Sequence, residues 1–314
     1  MRRTKFEGIV KAIKEVRIQG ATAVAKASLE ALEDLINRSR ARSRSKLLRE
    51  VRWGVRNLFS TRATEPLMRN CLRYCLYMLE RSDLGDVGEL RNLFSVVKME
   101  ILDRLERSEE KIFKYGSNLV RNYRTVFLHC HSSLVVGIVK KAFKGRRGRK
   151  VICTETRPLF QGRKTALELS KEGIPVTLIV DSAASLFMPK VDAVLVGCDA
   201  ITSDLSIINK IGTFHLALLA KLNNKKFHVV TQIEKFDPET QIGKLEEIEK
   251  RDPSEVWKVR KKNLRIENYA FDVTPEEYIS SLVTQEGIIS IDVLLPLIRE
   301  KYEWILKPLK SLKI

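Results

Sequence analysis

Nothing in this chain approaches the roughly 18–20 consecutive apolar residues that a helix needs to cross a bilayer. The N-terminal MRRTKFEGIVKAIKEV is charged and amphipathic, without the short apolar core and small-residue cleavage site of a secretion signal. The expectation is a soluble cytoplasmic protein. Cysteine is sparse too: Cys71, Cys75, Cys130, Cys153 and Cys198 form an odd, scattered set with no C-x-x-C pair. That argues against a disulfide-stapled secreted domain. The G-x-G-x-x-G fingerprint is missing, which disfavours nicotinamide and flavin cofactors, and no Walker loop is present to cradle ATP phosphates. No helix-turn-helix, zinc-finger or aromatic RNA-binding signature appears. Glutamine is scarce beside abundant Lys, Arg and Glu, a composition that points weakly to a heat-loving source.

What is present is a chain of 314 residues with 44% hydrophobic content, ordinary for a folded protein and long enough for two domains. Its net charge is +18, and the first 62 residues carry 16 Lys/Arg against 6 Asp/Glu. KKAFKGRRGRK, at 140–150, is a second dense basic cluster. Such clusters bind nucleic acid, attract phosphorylated metabolites or simply solvate a face, and composition alone leaves the three open.

Up to about Asn122 the pattern is helical. FEGIVKAIKEV and GATAVAKASLEALEDLI space apolar residues three and four apart, as core-facing helices do. RSRARSRSKLLREVRWGV opens as a basic connector and then resumes that spacing; further helices are expected over Glu65–Glu80 and Asp86–Tyr115. Cys71 and Cys75, four apart, are expected on a buried helix face. Beyond Asn122 short apolar runs recur: TVFLHC, KVICTE, PVTLIVD, AVLVGCD and FHVVTQ. Amphipathic segments such as SSLVVGIVKKAF, GRKTALELSKEG and GTFHLALLAKLN separate them. Buried strands alternating with helices predict a doubly wound, Rossmann-like parallel sheet. The expected architecture is α/β, with a helical N-terminal domain at 1–122 and a Rossmann-like domain at 123–314.

In open α/β sheets the ligand sits at the carboxyl ends of the strands. Cys130, Thr154-Glu155-Thr156-Arg157, Asp181 and Asp199 fall at successive strand ends and are the candidates from pattern alone. Cys130 sits in His129-Cys130-His131; a zinc reading needs further ligands, and none lies nearby in the sequence. His129 is expected to end a strand, and His131 to tune the thiol or cap the following helix. Gly162-Arg163-Lys164 opens a helix, where free N–H groups suit a phosphate, although an ordinary charged first turn reads the same way.

Several motifs then carry a resemblance: RIQGA at 17–21, STRAT at 60–64, HCHS at 129–132, TETRPLFQGRKTA at 154–166, DSAA at 181–184, Ile208-Asn209-Lys210-Ile211-Gly212-Thr213, KFDPE at 235–239 and FDVTP at 271–275. In this order they resemble the family uniting the alpha, beta and delta subunits of translation initiation factor 2B with two sugar-phosphate isomerases. Those act on methylthioribose 1-phosphate and ribose 1,5-bisphosphate, and the motifs fit the archaeal ribose-1,5-bisphosphate branch most closely. The resemblance implies catalytic residues Cys130 and Asp199, which the initiation-factor subunits generally do not keep together. It implies phosphate or sugar contacts from Gln19, Gly20, Ala21, Thr22, Arg62, Asn209, Lys210 and Lys235, with Ser132 and Ser133 able to donate from a helix start. A homo-oligomer, a dimer or hexamer, is implied as well. The alternative within the same family is a non-catalytic regulatory subunit.

Three positions depart from the isomerase pattern. Gln19 stands where the family has arginine, Ser133 where it has lysine, and Asp204-Leu205 where it has Asn-Gly. The first two remove positive charge, and the third removes a glycine suited to a tight turn. The chemistry implied is proton transfer in an aldose-to-ketose isomerisation, with acid, base and phosphate anchors supplied by side chains and no metal or cofactor needed. A cysteine near a helix start and positive charge is expected to have a lowered pKa, and Asp199, following AVLVGC, to be buried enough to hold a proton.

Overall fold

The computed structural model describes residues 4–62, 64–244 and 248–306. They gather into two compact units. The helical unit takes the described residues up to 107, joined by 234–238 and 296–306. The α/β unit takes 108–233 and the described residues of 239–295.

The helical unit is built on α1 (Lys5–Lys14), α2 (Ala21–Arg38), α3 (Arg44–Phe59), α4 (Pro66–Arg81) and the first part of α5 (Val87–Val120). Helix α1 begins in a capping box: the Thr4 hydroxyl accepts from Glu7 N–H and the Glu7 carboxylate accepts from Thr4 N–H. The apolar stripes read from the sequence meet in one core that includes Ile13, Val24, Leu29, Leu32, Val51, Leu58, Leu67 and Leu76. Cys71 and Cys75 lie inside it on α4, where burial pushes both thiols up, Cys71 to about 12. They are small core residues.

The α/β unit follows the expected alternation: β1 (Thr125–Leu128), α6 (Ser133–Phe143), β2 (Lys150–Thr154), α7 (Gln161–Lys171), β3 (Val176–Ile179), short α8 (Ala184–Phe187), β4 (Ala193–Val196), β5 (Ala200–Ile201), β6 (Ile207–Lys210), α9 (Thr213–Leu222) and β7 (Lys226–Val230). Further along come β8 (Phe271–Thr274), β9 (Ser281–Thr284) and β10 (Gly287–Ile289); α10 (Leu294–Lys301) and α11 (Glu303–Leu306) end the described chain. The main sheet runs β10-β9-β7-β4-β1-β2-β3, parallel except for β10. Every residue of β1 and β4 is buried, as a strand covered by helices on both faces requires.

Two features position the site. The chain builds outward from β1 through β2 to β3, then returns to lay β4 on β1's other side. The carboxyl ends of β1 and β4 therefore flank the topological switch point, where doubly wound sheets bind ligands. Secondly, β5, β6 and β8 form a separate antiparallel sheet that strand reading along the sequence misses. It pairs Ile207 with Thr274, far apart in sequence, and follows directly on β4.

Candidate active site

Cys130 follows β1 and is the half-buried member of the five cysteines, the other four being buried. Its backbone adopts the left-handed conformation at φ 64, which disfavours a side chain bearing a Cβ. Both of its peptide groups are held. The N–H donates to Thr156 Oγ1 at 2.9 Å, and the C=O accepts from Thr165 Oγ1 at 2.8 Å. Thr156 is also left-handed, at φ 61, and the Asp181 carboxylate fixes it by accepting from Thr156 N–H at 2.9 Å and Arg157 N–H at 2.7 Å. Asp181 thus shapes the loop after β2.

The thiol's acidity runs against the sequence expectation. Burial pushes Cys130 up to about 11, against the lowering effects of Lys210 and the His131 backbone, while the charges of Asp199 and Asp181 push the same way as burial. The helix-start argument fails because loss of hydration around a thiolate outweighs one nearby ammonium. At neutral pH the group is a thiol and carries its proton.

Asp199 follows β4 and is half-buried; its N–H donates to Ile208 O at 2.8 Å, tying the β4 end to β6. Between them, Gly197 leaves room for two neighbours to approach closely. A Cβ there would lie 3.0 Å from Ser132 Cβ, 3.1 Å from its Oγ and 3.8 Å from Asn209 Oδ1. Ser132, at the α6 N-cap with its hydroxyl accepting from Val135 N–H, and Asn209, on β6, therefore converge on the β4 end. Asn209 Nδ2 donates to Thr213 Oγ1 at 2.9 Å, and that hydroxyl donates to Lys210 O at 2.6 Å. Lys210 is 9% exposed, its ammonium 5.0 Å from the Phe271 ring centroid and close enough to act on Cys130. Cys130, Ser132, Asp199, Asn209 and Lys210 are brought together. Ser133, the first residue of α6, is exposed.

Three contributors went unassigned in the sequence reading. Gly197 was legible as a glycine ending a four-residue apolar run. Asp272, inside the quoted FDVTP, accepts from Gly212 N–H at 2.7 Å and Phe214 N–H at 3.2 Å and so anchors the start of α9. Burial pushes its carboxyl up to about 6. Asn70, early in α4 beside Arg69 and Cys71, gave no signal at all. Its Nδ2 donates at 2.8 Å to both Glu234 O and Phe236 O, the carbonyls on either side of Lys235. That clamp belongs wholly to the helical unit.

The helical unit also holds the remaining expected residues. Gly20, at φ 89, and Ala21 open α2, which Thr22 continues; the exposed Gln19 amide donates to Val16 O at 2.9 Å. Arg62 and Lys235 are both buried, and Arg62 lies 3.5 Å from the Glu65 carboxylate.

Other candidates resolve structurally. Arg163 bonds Glu155 at 2.7 Å and stacks 3.7 Å from the Phe160 ring centroid, and Lys164 sits 3.9 Å from Glu168, so Gly162-Arg163-Lys164 is a charged first turn already engaged. Lys140 and Lys144 in the basic cluster at 140–150 pair with Glu168 of α7 and with Glu172 at its C-cap. Arg157 donates to Val256 O at 3.0 Å, in a loop whose Trp257, Lys258, Arg260, Lys261 and Lys262 line a concavity of about 810 Å³. Among the described residues no three His, Cys, Asp or Glu side chains gather as a metal site, and no helix is long and apolar enough to cross a membrane.

Asp204-Leu205 keeps the turn that glycine would have made. Leu205 takes φ 62. The Asp204 carboxylate accepts from the Thr202 hydroxyl, from Ser206 N–H at 3.3 Å and from Ser206 Oγ at 3.2 Å. The Thr202 hydrogen bond, foremost, holds that carboxyl below its usual range.

Relatives match along nearly the whole chain. The chain is 37% identical to the ribose 1,5-bisphosphate isomerase of Thermococcus kodakarensis, covering 95% of each sequence. Among solved structures, translation initiation factor eIF-2B of Pyrococcus horikoshii superposes with a TM-score of 0.77 at 28% identity, over 91% of this chain and 96% of that one. The 5-methylthioribose 1-phosphate isomerase of the same organism gives 0.75 at 27% identity, over 94% of this chain and 87% of that one. The model of the Initiation factor 2 subunit family matches residues 17–291, and the chain belongs to that family.

Proposed function

We propose that this protein is an aldose–ketose isomerase that converts ribose 1,5-bisphosphate to ribulose 1,5-bisphosphate. The observation that carries the reading is the placement of Cys130 and Asp199 just after β1 and β4, neighbouring strands at the switch point of the sheet. The name of the Thermococcus kodakarensis relative supports the substrate.

The anomeric oxygen of this sugar carries a phosphate, so the ring cannot open as a free sugar does. An acid must protonate the ring oxygen as its bond to C1 breaks, and a base must take the proton on C2, leaving an enol across C1 and C2. The C2 hydroxyl then gives up its proton as C1 gains one, and the ketone forms. Cys130, whose thiol is held up to about 11, fits the donor at the ring oxygen and recovers its proton from the C2 hydroxyl. Asp199 takes the C2 proton and delivers one to C1. Asn209, Lys210 and Ser132 supply polar contacts at the same strand ends. Binding roles for Gln19, Gly20, Ala21, Thr22, Arg62, Ser133 and Lys235 rest on motif register, and substitution there is expected to raise KM before lowering kcat.

The test is a coupled assay in which ribulose-bisphosphate carboxylase reports product from ribose 1,5-bisphosphate, with Cys130→Ser and Asp199→Asn beside the wild type. Product from the wild type and from neither variant supports the isomerase and both residues. Undiminished turnover in Cys130→Ser eliminates the thiol's role. A second reading, a regulatory subunit without catalysis, is favoured by Gln19, whose amide is engaged with its own chain at Val16 O where the isomerase motif has arginine. Absence of product from a folded wild type that still binds the sugar phosphate would select it. A homo-oligomer is also proposed: edge strand β3 and its surroundings leave Leu178, Val180 and Leu186 exposed at 43%, 54% and 68%. Light scattering behind size exclusion measures it.

A further inference from the structure

Each histidine flanking Cys130 is hydrogen-bonded to a threonine hydroxyl, and the hydrogens of those bonds can be assigned one by one. His129 Nε2 faces the carbonyl of Ile211 at 2.9 Å. A carbonyl only accepts, so Nε2 carries the proton. In the neutral ring, which burial favours, Nδ1 is then a lone pair. Thr154 Oγ1, 2.6 Å away, must donate to it. With its hydrogen committed, Thr154 Oγ1 accepts from Thr156 Oγ1 at 3.3 Å, and Thr156 Oγ1 accepts from Cys130 N–H at 2.9 Å. On the other side, Thr165 Oγ1 donates to Cys130 O at 2.8 Å, so His131 Nδ1, 3.1 Å from the same oxygen, is its donor.

Donation runs in one sense through both relays: from Cys130 N–H through Thr156, Thr154 and His129 onto the Ile211 carbonyl, and from His131 through Thr165 onto the Cys130 carbonyl. Thr154 and Thr156 are 1% and 0% exposed, Thr165 1% and His129 5%, so water cannot substitute for a missing hydroxyl. The first relay also ties three strand ends together, because Ile211 O belongs to the block carrying Asn209 and Lys210. Gly212 makes this approach possible: at φ +100, a Cβ there would press within 3.1 Å of His129 Cε1 and 3.2 Å of Nε2.

We propose that Thr156 and Thr165, each oriented by one of the flanking histidines, are positioning residues that hold Cys130 in its left-handed conformation and thereby set where its thiol sits. Their consequence for turnover rests on the catalytic reading of Cys130; their effect on the thiol's placement does not. Removing either hydroxyl removes one of the two side-chain bonds that hold Cys130 at a disfavoured φ. A displacement of about an ångström is enough to lose about 10²-fold in rate where a proton donor must meet a ring oxygen.

The experiment compares Thr156→Val, which keeps shape and removes the hydroxyl, with Thr156→Ser, which keeps the hydroxyl, and repeats the pair at Thr165. Turnover is measured together with the rate of Cys130 alkylation by iodoacetamide, followed on its own peptide by mass spectrometry. The tautomer of His129 is read from its ring ¹⁵N shifts. The expected result is a kcat fall of about 10- to 100-fold in Thr156→Val with KM within about threefold, a changed alkylation rate, and recovery in Thr156→Ser. Altered alkylation with unchanged kcat supports the positioning and removes Cys130 from catalysis. Wild-type alkylation and kcat in both valine variants overturns the proposal. So does a serine variant as impaired as its valine counterpart, or a His129 ring protonated on Nδ1 alone.

Discussion

His228 gives the most quantitative prediction. It lies on β7, 5% exposed, with Nδ1 at 2.8 Å from Ser281 Oγ on β9 and Nε2 at 2.8 Å from the Tyr123 hydroxyl. The Tyr123 ring stacks at 5.8 Å between centroids. Burial, with help from the charge of Lys226, lowers its pKa from 6.5 to about 4. The neutral ring accepts a hydrogen bond at one nitrogen and donates at the other; protonation makes both donors, and the hydroxyl that donated must turn its hydrogen elsewhere. An unfolded chain binds this proton at pH 6.5, whereas the folded chain resists it until about pH 4. Stability from the neutral ring is therefore fully present above pH 6.5 and drains away as pH falls toward 4. At 1.36 kcal/mol per pKa unit the loss is about 3 kcal/mol. Urea unfolding of the wild type and of His228→Gln across pH 4–7.5 measures it, because other titrations, including that of buried His129, cancel in the difference. The wild type should lose about 3 kcal/mol relative to the variant over this range. Parallel pH profiles would refute the reasoning.

Cys130 alkylation by iodoacetamide should rise with pH on an apparent pKa well above 9, because burial holds the thiol near 11; a midpoint below 8 would mean that Lys210 and the helix start dominate after all. Gly197→Ala should lower kcat/KM about 10- to 100-fold while costing about 1 kcal/mol in stability, since its Cβ forces Ser132 from the strand end. Steady-state kinetics and urea midpoints on one preparation separate the two effects, and wild-type kinetics would show that Ser132 can give way freely. Leu205→Gly should stabilise the protein by about 0.5–1 kcal/mol, because relief of the left-handed leucine exceeds the entropy that glycine adds to the unfolded chain; a lower urea midpoint would show that the leucine's packing outweighs its φ.

The sequence by itself determined everything that depends on local period. Apolar residues three and four apart marked α1 to α5, and short apolar runs marked β1, β2, β3, β4 and β7, because the face a residue presents is fixed by its neighbours a turn or a pleat away. The same periodicity put Cys130 and Asp199 at strand ends, and motif register proposed their roles. Tertiary structure decided the rest. The antiparallel β5-β6-β8 sheet joins Ile207 to Thr274, and Asn70 reaches the carbonyls around Lys235; no local pattern encodes pairings between segments so far apart. The thiol's pKa rose where the sequence expectation was a fall, because desolvation is a sum over everything packed around Cys130 while the sequence displays only its chain neighbours. The protons of His129 and His131 were likewise unreadable from HCH, since the partner of each nitrogen, a carbonyl at Ile211 or a hydroxyl at Thr154 and Thr165, comes from another element of the fold.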